Sequence, residues 1–300
     1  MENIKTVIIV VTYGKTKISN KTLESLMSVN LKKKHDLIIF NNGPVSINDS
    51  CFECVDLLKK KFKAFSLYED LSNAPLSSIY NYFLEENDYD RYILLDDDTM
   101  FPSCFFDDMD ETLLEHKFLD LQLPRIIENS NKKQYYPRCG RNIIEPGPLN
   151  EKDEFFSVGS GLIIYKSLIE KFKKNNIELF DTRFALYGVD YSFFRRLRML
   201  RKKGVFFNIV VNSEIFHSMS SVNPKVEQWR KKERMYDHVL TIKHYGGMGV
   251  KYLKLFKLIL HYLNTKDLML VIYSIEVYIK GIHPRCLGQT RKSFSRSYFF

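Results

Sequence analysis

Tyr92-Ile93-Leu94-Leu95-Asp96-Asp97-Asp98-Thr99 joins a short run of strand-forming residues to three consecutive carboxylates. An apolar run of this length between polar residues reads as a buried sheet strand, which puts the acids at its carboxyl end. Three anions crowded at one strand end repel each other. Mg2+ or Mn2+, bound through oxygen ligands and shared with a diphosphate, would offset that repulsion. The plainer reading of a bare D-x-D pattern is a solvated acidic turn or a helix start, so the neighbouring segments have to decide.

Upstream, Thr6 to Thr12 is a β-branched run followed by Tyr13-Gly14, and Leu23, Leu26 and Met27 then recur at helical spacing after Ser19 or Asn20 as caps. Asp36 to Phe40 is a second strand ending in Asn41-Asn42-Gly43-Pro44. A helix is expected from Asp49 to Lys61, a strand near Phe65 to Tyr68, and a helix from Leu76 to Glu86 that leads into the acidic strand. Strands alternating with helices of this length signal βαβ units and a largely parallel sheet, in which ligands bind beyond the carboxyl ends of the strands.

The second half is less regular. Pro137, Pro146 and Pro148 mark a polar stretch, and Gly159-Ser160-Gly161 separates the apolar runs within Phe155 to Tyr165. A helix is expected from Asp190 to Lys203, stopped by Gly204, and a strand from Val205 to Val211 with His217 shortly after it. From Pro224 onward the pattern is helical and increasingly basic.

In this order the turns resemble family 2 glycosyltransferases, inverting enzymes of GT-A fold that make bacterial surface polysaccharides, over roughly Val7 to Gly247. Val10 to Gly14 looks like the family's opening strand and nucleotide-binding turn, which implies donor contacts from Thr12, Tyr13 and Gly14. Phe40-Asn41-Asn42-Gly43 resembles the second strand end, with Asn where an Asp commonly reads the base or ribose. Ser72-Asn73-Ala74-Pro75 through Asn81 resembles the donor-contacting segment ahead of the metal motif, implying Asn73 and Asn81. Leu95-Asp96-Asp97-Asp98 matches the D-x-D element, with Asp96 and Asp97 on the nucleotide sugar and Asp98 on the metal. Tyr187-Gly188-Val189-Asp190 resembles the acceptor-side segment that usually ends Glu-Asp, so only Asp190 carries over, as the general base. His217 lies where related transferases place a third metal ligand.

Taken by themselves, these residues admit other roles. Asp190 could be a helix N-cap, His217 a structural histidine after a strand, and Arg195 and Arg196 solvated helix charges rather than phosphate or acceptor contacts. Gln228-Trp229-Arg230 is not the Q-x-x-R-W element of processive members, so single-sugar transfer is expected.

The chain has 300 residues, 45% of them hydrophobic, and a formal charge of +9. The last fifty residues hold nine Lys or Arg against Asp267 and Glu276, so the basicity is local and points to an anionic membrane surface. No nucleic-acid-binding module accompanies the charge, which sets nucleic acid aside as a partner. Five irregularly spaced cysteines argue against a disulfide framework and for a reducing compartment, and Cys51-Phe-Glu-Cys54 reads as a coincidental pair. Met1-Glu2-Asn3 runs directly into a strand with no charged leader or long apolar stretch. Lys251 to Leu263 alternates apolar and basic residues as an interfacial helix does, and Leu268 to Ile275 is apolar but too short to span a bilayer. Both segments could equally pack on the catalytic domain.

The expected architecture is therefore α/β: a GT-A, Rossmann-like mixed sheet flanked by helices over 1–222, with a donor half to about 100 and an acceptor half to 222, then a basic helical segment over 223–300. The resemblance implies a metal-dependent, inverting hexosyltransferase, peripheral on the cytoplasmic face of the membrane. It would take a nucleotide-sugar donor, foremost a UDP-hexose, and a lipid-linked glycan acceptor. Rhamnosyl or galactofuranosyl transfer, or a sugar nucleotidyltransferase, are the alternatives.

Overall fold

Alternate residues of the central strands face opposite layers, and this alternation builds two hydrophobic cores. The computed structural model describes residues 4–47, 52–150, 154–218, 227–247, 249–288, 294 and 296–297. In β1 (Thr6–Thr12) all seven residues are buried; Val7, Ile9 and Val11 enter one core, and Ile8 and Val10 the other. The first half continues as α1 (Lys21–Ser28), β2 (Asp36–Asn41), α2 (Phe52–Lys61), β3 (Ala64–Glu69), α3 (Leu76–Glu86) and β4 (Arg91–Leu95). Each fully buried Val, Leu or Ile side chain contributes about 1.5–3 kcal/mol, so these doubly covered strands are the rigid base of the molecule.

Next come α4 (Phe105–Glu115), β5 (Leu121–Glu128), β6 (Gln134–Tyr136), β7 (Arg138–Cys139), β8 (Asn142–Ile143), β9 (Gly147–Pro148), β10 (Phe155–Phe156) and β11 (Ile163–Tyr165). The chain then forms α5 (Lys166–Lys174), α6 (Val189–Lys202), β12 (Ile209–His217), α7 (Gln228–Tyr245), α8 (Lys251–Asn264), α9 (Leu268–Lys280) and β13 (Arg296–Ser297). The main sheet has ten strands in the order β13-β3-β2-β1-β4-β11-β5-β12-β9, with β6 paired to β5. β3, β2, β1 and β4 run parallel, whereas β11 is antiparallel to both of its neighbours. A small second sheet joins β10, β7 and β8. Strand order reverses at β1, which has β2 on one side and β4 on the other, and such a switch point opens a crevice at the carboxyl ends.

Helices α1, α2 and α4 cover one face, and α3, α5, α6, α7 and α9 cover the other. The C-terminal part shares that second core through Met235, Leu240, Leu270, Val277 and Phe294. The final strand, β13, adds antiparallel to the edge of β3.

Some elements differ from the sequence reading. The strand expected at Val205 to Val211 begins at Ile209, because the Asn208 N–H is tied to the buried Asp120 carboxylate at 2.8 Å before the chain enters the sheet. It then runs on to His217, past a bulge at Ser213 (φ 59°), so His217 is the last residue of a strand, paired with Glu128. The expected helix starts at Asp49 and Pro224 lie outside the described residues, as do Met1 to Asn3 and Cys51. Cys54 is disulfide-bonded, and Cys104, Cys139 and Cys286 are free thiols.

Candidate active site

The turn after β4 is held from three sides. The Thr22 hydroxyl on α1 donates to the Asp96 carbonyl at 2.5 Å and accepts from the Thr99 N–H at 2.8 Å. The Ser160 hydroxyl accepts from the Asp96 N–H at 3.0 Å and lies 2.7 Å from the Thr99 hydroxyl. Just beyond, Met100 and Phe216 exchange backbone hydrogen bonds of 2.8 and 2.9 Å, which seats the end of β12 against the turn. That seating brings His217 to the acids. Its Nδ1 is 2.9 Å from Asp98 Oδ1, and its Nε2 is 3.9 Å from Asp96 Oδ2. One ligand atom from each of Asp96, Asp98 and His217 lies within 4.8 Å of the others.

The electrostatics match this crowding. The Asp96 side chain keeps 41% of its surface open to the cleft. Even so, burial by the surrounding walls, together with Asp98 and Asp97, pushes its carboxyl up to about 6 against the opposing pull of His217. Burial also raises Asp97, which turns toward Lys15 at 3.9 Å and the Tyr13 N–H at 3.5 Å. Burial draws the His217 pKa down, but its hydrogen bond to Asp98 and the charge of Asp96 outweigh that and leave it raised. Two carboxylates and an imidazole within reach of one another form an O/N donor set suited to a divalent cation.

Asp190 completes the group. It is the second residue of α6, whose N-cap is Gly188 (φ 83°), so the N-cap alternative does not hold. Its carboxylate accepts from the Gly159 N–H, while burial and the neighbouring Asp96 push its carboxyl up to about 7. A Cβ at residue 159 would lie 2.4 Å from Asp190 Oδ1, so glycine is needed for this close approach. A carboxyl raised into this range can take up and release a proton near neutral pH.

These residues open onto one cleft of about 1540 Å³, more than the ~300–1,000 Å³ of a single-ligand pocket and enough for two substrates side by side. Tyr13, Asn42, Asn73 and Asp96 to Asp98 line one part of it; Asp190, Tyr191 and Arg195 line another, with α7 as a further wall. The side chains of Thr12, Asn41 and Asn81, together with Gly14, are not among the lining residues. Asn41 spends its amide on Val45 O at 2.8 Å and Glu69 Oε2 at 2.7 Å and accepts from the Gly43 N–H. Asn81 donates to Phe180 O and accepts from the Phe180 N–H, at 2.8 and 3.0 Å. Thr12 and Gly14 act through backbone, accepting from Asn42 N–H and donating to Gly43 O respectively. The buried amides therefore staple loops that display other residues.

Arg196 is an internal brace. It contacts Glu178 O, Phe180 O and the Asp181 carboxylate, and so is not a solvated charge. Burial alone would raise Asp181, but Arg183, Arg196 and Tyr245 hold it down at about 2. Arg195 does reach the cleft, where it donates to Thr241 at 3.1 Å.

Several functional residues escape a sequence reading. Gly159 and Ser160 look like spacers, and Thr22 like a helix residue. Arg285 lies 212 residues from Asn73 yet donates to its Oδ1 at 2.8 Å and pairs with Glu233 at 2.9 Å, on the cleft wall.

No family model matches the sequence, and no curated protein does either. Solved structures do. Residues 1–349 of S. aureus TarS are 15% identical, with 94% of this chain and 93% of that one covered and a TM-score of 0.55. The same piece in complex with UDP-GlcNAc gives 14% identity, the same coverage and a TM-score of 0.56. A longer S. aureus TarS structure, 55% of it covered, gives 16% identity over 92% of this chain and a TM-score of 0.54. The fold is thus the GT-A mixed sheet flanked by helices.

Proposed function

We propose that the protein is a metal-dependent, inverting glycosyltransferase that moves one sugar from a nucleoside diphosphate donor to a hydroxyl of a glycan. The observation that carries this reading is the convergence of Asp96, Asp98, His217 and Asp190 on one cleft at the carboxyl ends of the switch-point strands. Asp98 and His217 would hold the cation, with Asp96 in reach, and the crowded carboxylates fit one. When bound, a divalent cation supplies charge neutralisation for a departing diphosphate.

The chain's own residues do the rest. Tyr13, Asn42 and Asn73 line the part of the cleft next to the acids, where the nucleoside would bind. The Asp190 carboxylate takes the proton of the acceptor hydroxyl as that oxygen bonds to the anomeric carbon. The bond from that carbon to the diphosphate oxygen breaks on the opposite face, so the configuration inverts. The Gly159 N–H holds the base in position during the transfer.

Uridine nucleotides are the first donors to test, since S. aureus TarS has been solved with UDP-GlcNAc and with UDP on this fold. A UDP-hexose is our assignment, and a growing lipid-linked surface glycan our assigned acceptor. The test is release of nucleoside diphosphate from a panel of nucleotide sugars with Mn2+, with and without EDTA, and the anomeric configuration of the product read by NMR. Turnover unchanged in excess EDTA would remove the cation from the scheme. Failure to bind or cleave any nucleotide sugar would remove the whole reading.

A further inference from the structure

We propose that the hairpin formed by α8 and α9 is a docking surface for an anionic lipid bilayer. The two helices pack on each other, and α9 packs on α7. Helix α8 has no buried residue, and it touches the core only through Leu255, Leu258 and Tyr262. Its outer face carries Tyr252, Phe256, Leu260 and Leu263 at successive helical turns, with Phe256 57% exposed. Helix α9 turns Leu270, Ser274 and Val277 inward and presents Leu268, Ile272, Ile275 and Ile279 outward, the last of them 73% exposed.

Two adjacent apolar stripes of this size are far more than the scattered exposed side chains of a soluble surface, and they require an occupant. Charge selects which one. The hairpin bears Lys251, Lys254, Lys257, Lys266 and Lys280 against Asp267 and Glu276; Lys254 and Lys257 are exposed, and helical spacing puts Lys257 on the flank of the apolar face of α8. An apolar face edged by lysines suits shallow insertion of the side chains among acyl chains while the ammonium groups meet anionic headgroups. A second copy fits less well, because a two-fold contact apposes the same patch on both molecules and would bring the lysine rows together. No helix among the described residues is long and apolar enough to cross a membrane, so the hairpin lies on the bilayer.

The test is vesicle co-sedimentation of the full chain with phosphatidylcholine alone and with phosphatidylglycerol added. Two double variants are compared with it: Phe256→Asp with Ile272→Asp, and Lys254→Glu with Lys257→Glu. All four positions are exposed, and an unchanged melting temperature checks that the fold is kept. We expect binding to the anionic vesicles, weakened at least about tenfold by the first pair, while the second pair removes the preference over neutral vesicles. Equal pelleting with both vesicle types, or none with either, overturns the proposal. So does a lipid-free dimer that the first pair dissociates, since the face would then belong to a second copy. Nucleotide-sugar turnover is a separate measurement, so either reading can fail alone.

Discussion

Replacing Asp190 by Asn separates the chemistry of the cleft from its construction. The amide has nearly the same shape and can still accept from the Gly159 N–H through its oxygen, but it cannot take a proton. Loss of a positioned general base costs about 10²–10⁴ in rate, so turnover should fall at least about a hundredfold, or roughly 2.7 kcal/mol of transition-state stabilisation. Donor affinity, measured by calorimetry with UDP and Mn2+, should stay within a few-fold. The wild-type rate should rise with pH toward a plateau through about 7, because the ionised carboxylate is the working form. A cation beside Asp96 would move that midpoint lower. Stability should move the opposite way. The folded-state pKa of about 7 lies above the 3.8 of a free Asp, so the folded protein binds the proton more tightly and loses stability as pH rises between those values. Asn stands in for the protonated form, so its gain in melting temperature should be small at pH 4 and largest above pH 7. Unchanged turnover with intact donor binding would place the base elsewhere, and a variant less stable at pH 8 would refute the electrostatic argument.

Asp98→Ala and His217→Ala should each weaken Mn2+ binding in calorimetry and abolish nucleotide-sugar turnover, by emptying the cluster of a carboxylate or an imidazole; Mn2+ affinity equal to wild type would exclude them as ligands. Gly159→Ala places a methyl group 2.4 Å from Asp190 Oδ1, so the carboxylate must shift; a displacement of about 1 Å typically costs on the order of a hundredfold in kcat, and a kcat near wild type would show that Asp190 needs no such placement. Asn81→Ala should lower stability by about 1–3 kcal/mol through the stranded Phe180 backbone groups while leaving the donor KM unchanged; denaturant melts and steady-state kinetics check both halves.

The first half of this fold was legible because its signals are local. The unbroken buried runs Thr6 to Thr12 and Arg91 to Leu95 and the turns that follow each lie within a few residues, and the acids at the second strand end are part of the same signal. His217 could be flagged but not placed, since its position depends on the Met100 and Phe216 pairing across more than a hundred residues. Asn81 shows the limit most plainly. A buried amide looks the same in sequence whether it faces a ligand or a backbone 99 residues away, and here it faces Phe180. The start of the strand at Ile209 is hidden from the sequence for a similar reason, because the distant Asp120 decides where the chain joins the sheet. Arg285 and Ser160 left no signal at all: their importance lies wholly in what the fold brings next to them.

The short strand at Arg296–Ser297 has a consequence for the solution behaviour of the chain. It occupies the outer side of β3, and Phe294 beside it packs edge-on against Phe40 and Tyr82 at 4.9 and 5.0 Å. Without it, the outermost member of a large sheet would offer unpaired backbone N–H and C=O groups to any extended peptide, a ready template for β-aggregation. Arg296 and Ser297 thus act as a guard against self-recruitment. A chain cut at Gly288 should accumulate as thioflavin-positive aggregates on warming while the intact protein stays dispersed, and equal dispersion of the two would show that the edge is protected by other means.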